Sequence, residues 1–181
     1  MNKDTKILKA NYDEQIGVFV DILDVLNIEY APYILLTSYN KDKNNLRVDL
    51  NKWFTGRGIP SWRDKLDILL HRLNVDTVQE LLDKALGLSL SDQYWLKPCD
   101  LDMKYKDINF FDNNFDYVEF MEASLSKDDK LIKQEASLKT PNNTTDGMLK
   151  KAWIIIDNTR YLLKSGYKNE TLQPFNEVLA S

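Results

Sequence analysis

The chain has 181 residues, of which 43% are hydrophobic and 29% charged, with a formal net charge of −4 and an isoelectric point near 5.1. That is enough apolar material for a packed core in one medium domain or two small ones. There is no overall basic surplus, so any nucleic-acid contact has to come from local basic patches rather than net charge. A single cysteine, Cys99, excludes an intramolecular disulfide, and with a single histidine, His71, it excludes a Cys/His zinc site. No apolar run reaches the roughly 18 residues of a membrane span. The start, Met1-Asn2-Lys3-Asp4-Thr5-Lys6, leads into no signal-peptide core. The expected setting is a reducing cytoplasm with no membrane partner.

Residues 7 to 36 are rich in β-branched and aromatic side chains. The alternation of Val18, Val20 and Ile22 predicts a strand, and Gly17 stands where a turn could join it to an earlier strand near Ile7. A helix from Asp13 to Leu26 is the competing reading. From Asp49 the pattern turns helical. Asp49 is expected to cap a short helix through Trp53, ended by Gly56 and Gly58. Ser61 and Asp64 resemble a capping box ahead of Trp62, Leu66, Leu69, Leu70 and Leu73. Thr77 and Glu80 repeat the box ahead of Val78, Leu81, Leu82, Ala85 and Leu86, with Gly87 as the stop. These two helices are expected to pack as a hairpin.

Tyr94 to Lys97 reads as a short strand halted by Pro98, and Ser124 to Thr145 as a linker without apolar period. Trp153 to Ile156 reads as a buried strand, Asp157-Asn158 as a two-residue turn, and Arg160 to Lys164 as the return strand. Pro174 suits the first turn of a closing helix.

Between Asp100 and Glu122 lie seven carboxylates against Lys104 and Lys106, interleaved with Phe110, Phe111, Phe115, Tyr117 and Phe120. Acidic groups beside aromatics can dock a basic protein surface. Phe110, Phe111, Asp112, Asp116, Glu119 and Glu122 are therefore the candidate partner-binding residues, and a solvated acidic face over an aromatic core is the alternative. Lys150, Lys151, Arg160, Lys164 and Lys168 gather late in the chain and could touch phosphates or form the polar face of a sheet. His71 has no nucleophile in view, no calcium-loop spacing is present, and neither a catalytic residue nor a metal ligand is expected.

Three ordered stretches carry a resemblance. They are Asn51-Lys52-Trp53-Phe54-Thr55-Gly56-Arg57-Gly58-Ile59-Pro60; Gly87-Leu88-Ser89-Leu90-Ser91-Asp92-Gln93-Tyr94-Trp95-Leu96-Lys97-Pro98 with Ile108-Asn109-Phe110-Phe111-Asp112; and a C-terminal block of Thr144 to Trp153, Arg160 to Gly166 and Pro174 to Ser181. Together they resemble the N-terminal region of HipA-like serine/threonine kinases, in the form found in Firmicutes and their phages.

The resemblance implies an α+β fold. A strand-rich N-terminal part with a helical hairpin would span residues 1–123, a linker 124–145, and a kinase-N-lobe-like β-hairpin plus helix 146–181. It also implies roles in a nucleotide site: Gly147 in the phosphate-facing loop, Lys164 orienting phosphates, and Glu177 holding the lysine by charge pairing. The other reading of Lys164 and Glu177 is an inherited ion pair that only staples a hairpin to a helix.

No catalytic loop follows Glu177 in the sequence, so the expectation is a binder with at most weak residual ATP/Mg²⁺ binding and no cofactor. In size, acidity and absence of catalytic apparatus the chain is similar to anti-CRISPR proteins that block Cas9. The competing class is one piece of a toxin–antitoxin kinase, whose partner would be a kinase catalytic subunit.

Overall fold

The computed structural model describes residues 1–125 and 138–166. The chain is α+β, with six α-helices and two separate two-stranded antiparallel sheets among the described residues. The first sheet pairs β1 (Leu8–Asp13) with β2 (Val18–Val25). Gly17 makes the connection at φ +66°, a left-handed conformation that glycine adopts without steric cost, and donates its N–H to the Asp13 carbonyl at 2.8 Å. The register slips past Val20 and again past Leu23, and both residues stand exposed. These bulges let Phe19 and Ile22, three positions apart, both face the core. The strand reading therefore holds, and no helix spans Asp13 to Leu26.

Residues 33–36 leave the strand pattern. Pro32 precedes α1 (Tyr33–Tyr39), which packs on α2 (Lys43–Thr55). α2 starts earlier than expected because Asp42, not Asp49, is its cap, accepting from the Asn45 N–H at 2.8 Å. Asp49 lies inside the helix and pairs with Lys52 at 3.2 Å. Leu46, Leu50 and Phe54 recur at helical spacing and are buried.

α3 (Leu66–Arg72) starts later than the Ser61 box suggests. Lys65 sits at φ +55°, which breaks the helical path, so Trp62 points to solvent at 69% exposure. Asn74, at φ +53°, closes α3, with N–H groups of Asn74 and Val75 returning to His71 and Leu70.

The Thr77 cap does form ahead of α4 (Val78–Lys84): Thr77 Oγ1 accepts from the Glu80 N–H at 3.1 Å, while Glu80 accepts from the Asp76 N–H at 3.2 Å. The helix closes one residue before the expected glycine. Leu86 takes φ +53°, and Gly87 follows at φ +64° with its N–H on the Leu82 carbonyl. A Cβ on Gly87 would come within 2.7 Å of the Phe54 ring.

The expected hairpin of α3 and α4 is not how these helices pack. Each has only seven residues, and the chief neighbour of α3 is α6 (Val118–Leu125), that of α4 the 3-10 turn Pro141–Thr144. Tyr94 to Lys97 is not a strand either. It contributes one bridge, Asn2 to Tyr94, and the Met1 terminus exchanges hydrogen bonds with Trp95. α5 (Tyr105–Ile108) is a single turn.

The late hairpin forms as expected between β3 (Lys151–Ile156) and β4 (Thr159–Lys164). Asp157 and Asn158 both take positive φ, the conformation of a tight two-residue turn. Residues 126–137 and 167–181 lie outside the described residues, and with them most of the expected linker and the closing helix.

The described end of the linker expected over 124–145 is no break in the packing. Thr140, Pro141, Asn142, Asn143 and Thr145 are buried, and β3 lies on α6. Asn142 explains this attachment. Its side-chain amide accepts from the Trp153 N–H and donates to the Trp153 carbonyl, as a neighbouring strand would. Asn143 donates to the Leu81 carbonyl at 2.6 Å, tying the same turn to α4. Asn51 of α2 repeats the device on β2, accepting from the Phe19 N–H at 2.8 Å and donating to its carbonyl at 2.9 Å.

Asn142→Ala is expected to destabilise the chain by about 2–4 kcal/mol, because it leaves two strand groups without partners. Asn51→Ala, at a half-buried site, is expected to cost about 1–3 kcal/mol. Urea denaturation midpoints at constant m-value measure both.

A second expectation concerns pH. The Met1 ammonium donates to the Trp95 carbonyl at 3.0 Å, and burial, reinforced by the Arg57 charge, lowers its pKa from 8.0 to about 6. The unfolded chain then binds more protons between these values, so stability should rise from pH 6 to pH 8, by on the order of 2–3 kcal/mol. Thermal melts across that range check this, and acetylation of the Met1 amine should flatten the rise.

Candidate functional site

The acidic-aromatic stretch folds into a braced loop between α5 and α6. Asn109, fully buried, accepts from the Phe111 and Asp112 N–H groups, both at 2.9 Å, and donates to Asp112 Oδ2 at 3.2 Å. Asn113 donates to the Lys106 and Asn109 carbonyls. Arg160, from β4, crosses to the same loop. Its Nε donates to the Phe110 carbonyl at 2.7 Å, its Nη2 to the Asn113 carbonyl at 2.9 Å, and its guanidinium lies over the Phe115 ring.

This geometry divides the candidate partner-binding residues. Phe110 is 2% exposed and packs with Phe115 inside a core cluster around Trp95, so it is no surface anchor. Phe111 is 39% exposed. Asp112, Asp116 and Glu122 are exposed and Glu119 is half-buried. Phe111, Asp112 and Asp116 therefore lie on the loop, and Glu119 and Glu122 follow on α6, an acidic ledge with one partly exposed ring. Phe111 also lines a shallow open groove with Asn2, Asp92 and Tyr94.

Gly147 and Lys164 fall at one end of the β3–β4 hairpin. Lys164 pairs in register with Lys151, whose Nζ donates to the Asp146 carbonyl and lies 2.7 Å from where a Cβ on Gly147 would stand. The Gly147 N–H donates to Asp146 Oδ1 at 2.6 Å. The amide that a phosphate would use is thus engaged by the chain's own carboxylate, a poor start for a phosphate cradle. Glu177 lies outside the described residues, as does Lys168.

Among the described residues no group of three His, Cys, Asp or Glu side chains converges on a possible metal position. His71 and Cys99 are both exposed. No helix among the described residues is long and apolar enough to cross a membrane.

Three arginines organise these surfaces: sequence reasoning gave no role to Arg57 or Arg63, and it placed Arg160 on a polar sheet face or against phosphates rather than on the Phe110 and Asn113 carbonyls. Arg57 forks onto Asp92, at 2.6 and 2.8 Å, donates to the Gly87 carbonyl and stacks over Trp53. It joins the stretch 51–60 to the stretch 87–98, which the sequence presents as separate motifs. Arg160 braces the acidic loop. Arg63, 4% exposed, donates to Thr145 Oγ1, Ser124 Oγ and the Lys151 carbonyl, all neutral acceptors. Their one common signal is an arginine beside glycine, tryptophan or a turn rather than on a helical surface.

Comparison with family models, with curated proteins and with solved structures finds no match for this chain.

Arg160→Ala is expected to lower stability by roughly 2–4 kcal/mol, since two charge-assisted hydrogen bonds and a ring contact go together. Arg160→Lys should recover less than half of that, because an ammonium cannot serve two divergent carbonyls from one plane. Denaturation curves of the three chains decide it.

Proposed function

We propose that this chain is a non-catalytic binding protein that docks its acidic ledge on a basic surface of another protein. The observation that carries the reading is the exposure of Phe111 beside Asp112 and Asp116 on a loop already ordered by Asn109 and Arg160. Binding by a preformed loop avoids the entropy cost of ordering it, and a partly exposed aromatic ring supplies the apolar contact that dominates such interfaces. The carboxylates then set encounter rate and salt dependence.

The partner class is a cytoplasmic host nuclease whose basic groove holds nucleic acid, with Cas9 as the specific case, and the chain is an inhibitor carried by a phage or other mobile element. Effector nucleases of that kind hold their heteroduplex in a positively charged channel, for which an acidic ledge competes.

A second reading has its own support. Lys164 pairs in register with Lys151, which lies against Gly147, and Arg57–Asp92 unites two of the stretches that resemble HipA-like kinases. In that reading the chain is a front portion of a toxin–antitoxin kinase that acts with a catalytic lobe. By itself it would transfer no phosphate, and incubation with labelled ATP and Mg²⁺ would leave it unlabelled.

A Cas9 cleavage assay separates the two. The triple variant D112K/D116K/E119K should raise the half-inhibiting concentration by about tenfold or more and flatten its salt dependence, while Lys164→Ala should inhibit as well as the unaltered chain. Circular dichroism confirms that the triple variant is folded. No inhibition by the unaltered chain would end the inhibitor reading and leave the kinase one, in which the measured partner is a catalytic lobe.

A further inference from the structure

The groove beside Phe111 encloses about 430 Å³, within the roughly 300–1,000 Å³ of sites that hold small ligands. Asn2, Ser91 and Gln93 supply polar atoms to its lining, Tyr94 and Phe111 supply rings, and Asp92 is its single carboxylate, with no cation among the lining residues. At one end the Asn2 side chain donates to the Tyr30 carbonyl at 3.2 Å. Tyr30 and, three residues on, Tyr33 are both exposed there. Exposed aromatic residues around a groove are the composition of a protein interface.

Asp92 is only partly engaged. Among the described residues its Oδ1 accepts from Arg57 Nη2 at 2.8 Å and from the Tyr94 N–H at 3.0 Å, while Oδ2 accepts from Arg57 Nη1 alone, at 2.6 Å. A carboxylate offers about four lone-pair sites, so one on Oδ2 stays open. The Arg57 side chain is buried and that of Asp92 is 31% exposed, so the carboxylate can be reached from the groove. Its inner side already shows the chemistry: Arg57 forks onto the carboxylate and lies 4.8 Å over the Trp53 ring. Arg57 offsets the charge of Asp92, and exposed Asp112, next to Phe111, supplies a negative surplus. Burial first, then the Asp92 and Asp112 charges, push the Tyr105 hydroxyl up to about 12 against Arg57, so both carboxylates act on one place. Exposed Lys3, whose N–H meets the Gln93 carbonyl at 3.0 Å, is a cation on the same rim, and exposed Asp4 follows it with the opposite charge.

We propose that this groove receives one arginine side chain of a partner protein, its guanidinium donating to the open lone pair of Asp92 Oδ2 and lying against the Phe111 ring. Arginine is selected over lysine because its planar, weakly hydrated head meets a carboxylate and an aromatic face together. An acidic side chain is repelled by Asp92 and Asp112, and a neutral one leaves the open lone pair unused. Only the identity of the partner rests on the docking reading above: the ledge attracts a basic surface by charge, and the groove adds a pocket for one particular residue of it.

The test titrates the full nitrogen-15-labelled chain with N-acetylarginine amide, N-acetyllysine amide and the neutral isostere N-acetylcitrulline amide, and follows backbone amide shifts by NMR. The expected result is saturable shifts at Ser91, Gln93, Tyr94 and Phe111 with arginine, at a Kd on the order of millimolar. Lysine should bind at least threefold more weakly and citrulline should not saturate. Phe111→Ala should weaken arginine binding roughly fivefold, and Gln93→Lys, which sets a cation in the groove at an exposed position, should abolish it. Unshifted amides elsewhere show that both variants are folded. Equal binding of citrulline and arginine, arginine binding by Gln93→Lys as tight as by the unaltered chain, or shifts confined to Asp116 and α6 would overturn the groove site. Failure of the ledge is read separately, in the Cas9 assay: arginine binding in the groove upholds the site whether or not the chain inhibits, and inhibition that D112K/D116K/E119K weakens, without arginine shifts in the groove, keeps the ledge and overturns the site.

Discussion

The burial of one short helix is the constraint on which the rest of the fold depends. α4 has seven residues, too few to persist alone in water. Its Leu81 and Leu82, together with Ala85 at its end, are fully buried, and each enters a different hydrophobic cluster. Leu82 meets the first sheet and α2. Leu81 meets α3, α6 and β3. Ala85 meets Trp95 and the aromatic residues around Phe110 and Phe115. Three clusters that would each be small are thereby anchored to one rod, and any rotation of that rod disturbs all of them together. The ends are fixed accordingly: the Thr77–Glu80 box holds one, and the Leu86–Gly87 turn, pressed by the Phe54 ring, holds the other.

Two-stranded sheets are marginal by themselves, and here each is completed by a side chain. Asn51 and Asn142 both offer an amide oxygen and an amide N–H to a single strand residue, which is the hydrogen-bonding unit of an additional strand. The device also covers part of an edge that would otherwise present free backbone groups to other chains. It comes with directional demand. Asparagine can do this where alanine or leucine cannot, and aspartate would keep only the accepting half. The β3–β4 hairpin is thus attached through a polar turn as much as through apolar contact, and for that reason a stretch without apolar period reads as a linker and folds as a bolt.

What was legible follows from range. The two hairpins were readable because Gly17 and Asp157-Asn158 announce turns locally and the flanking strands are short. The Thr77 cap was readable for the same reason. The start of α2 was hidden because Lys43-Asn44-Asn45 carries no apolar residue, so the cap at Asp42 had no stripe beside it. Ser61 misled because Arg63 is drawn inward, turning the chain before a helix can begin. Phe110 and Phe111 are adjacent and identical in type, and only the Asn109 turn decides that one faces the core and the other solvent. The seat of Arg63 on Thr145 and the Lys151 carbonyl needed the approach to α3 and the start of β3 to be brought together across more than eighty residues of sequence, which no spacing could announce.

The arginines also account for how a chain with an acidic balance keeps distinct surfaces. Arg57 and Arg160 spend their charge on a carboxylate or on carbonyls at seams between segments, so they add rigidity without adding an exposed basic patch. The carboxylates of the acidic ledge face solvent with Lys104 and Lys106 exposed nearby in the chain, while Arg63 turns its charge inward onto neutral oxygens. The same groups therefore join segments that lie far apart in the chain, Arg57 across 35 residues, Arg160 across 50 and Arg63 across 88.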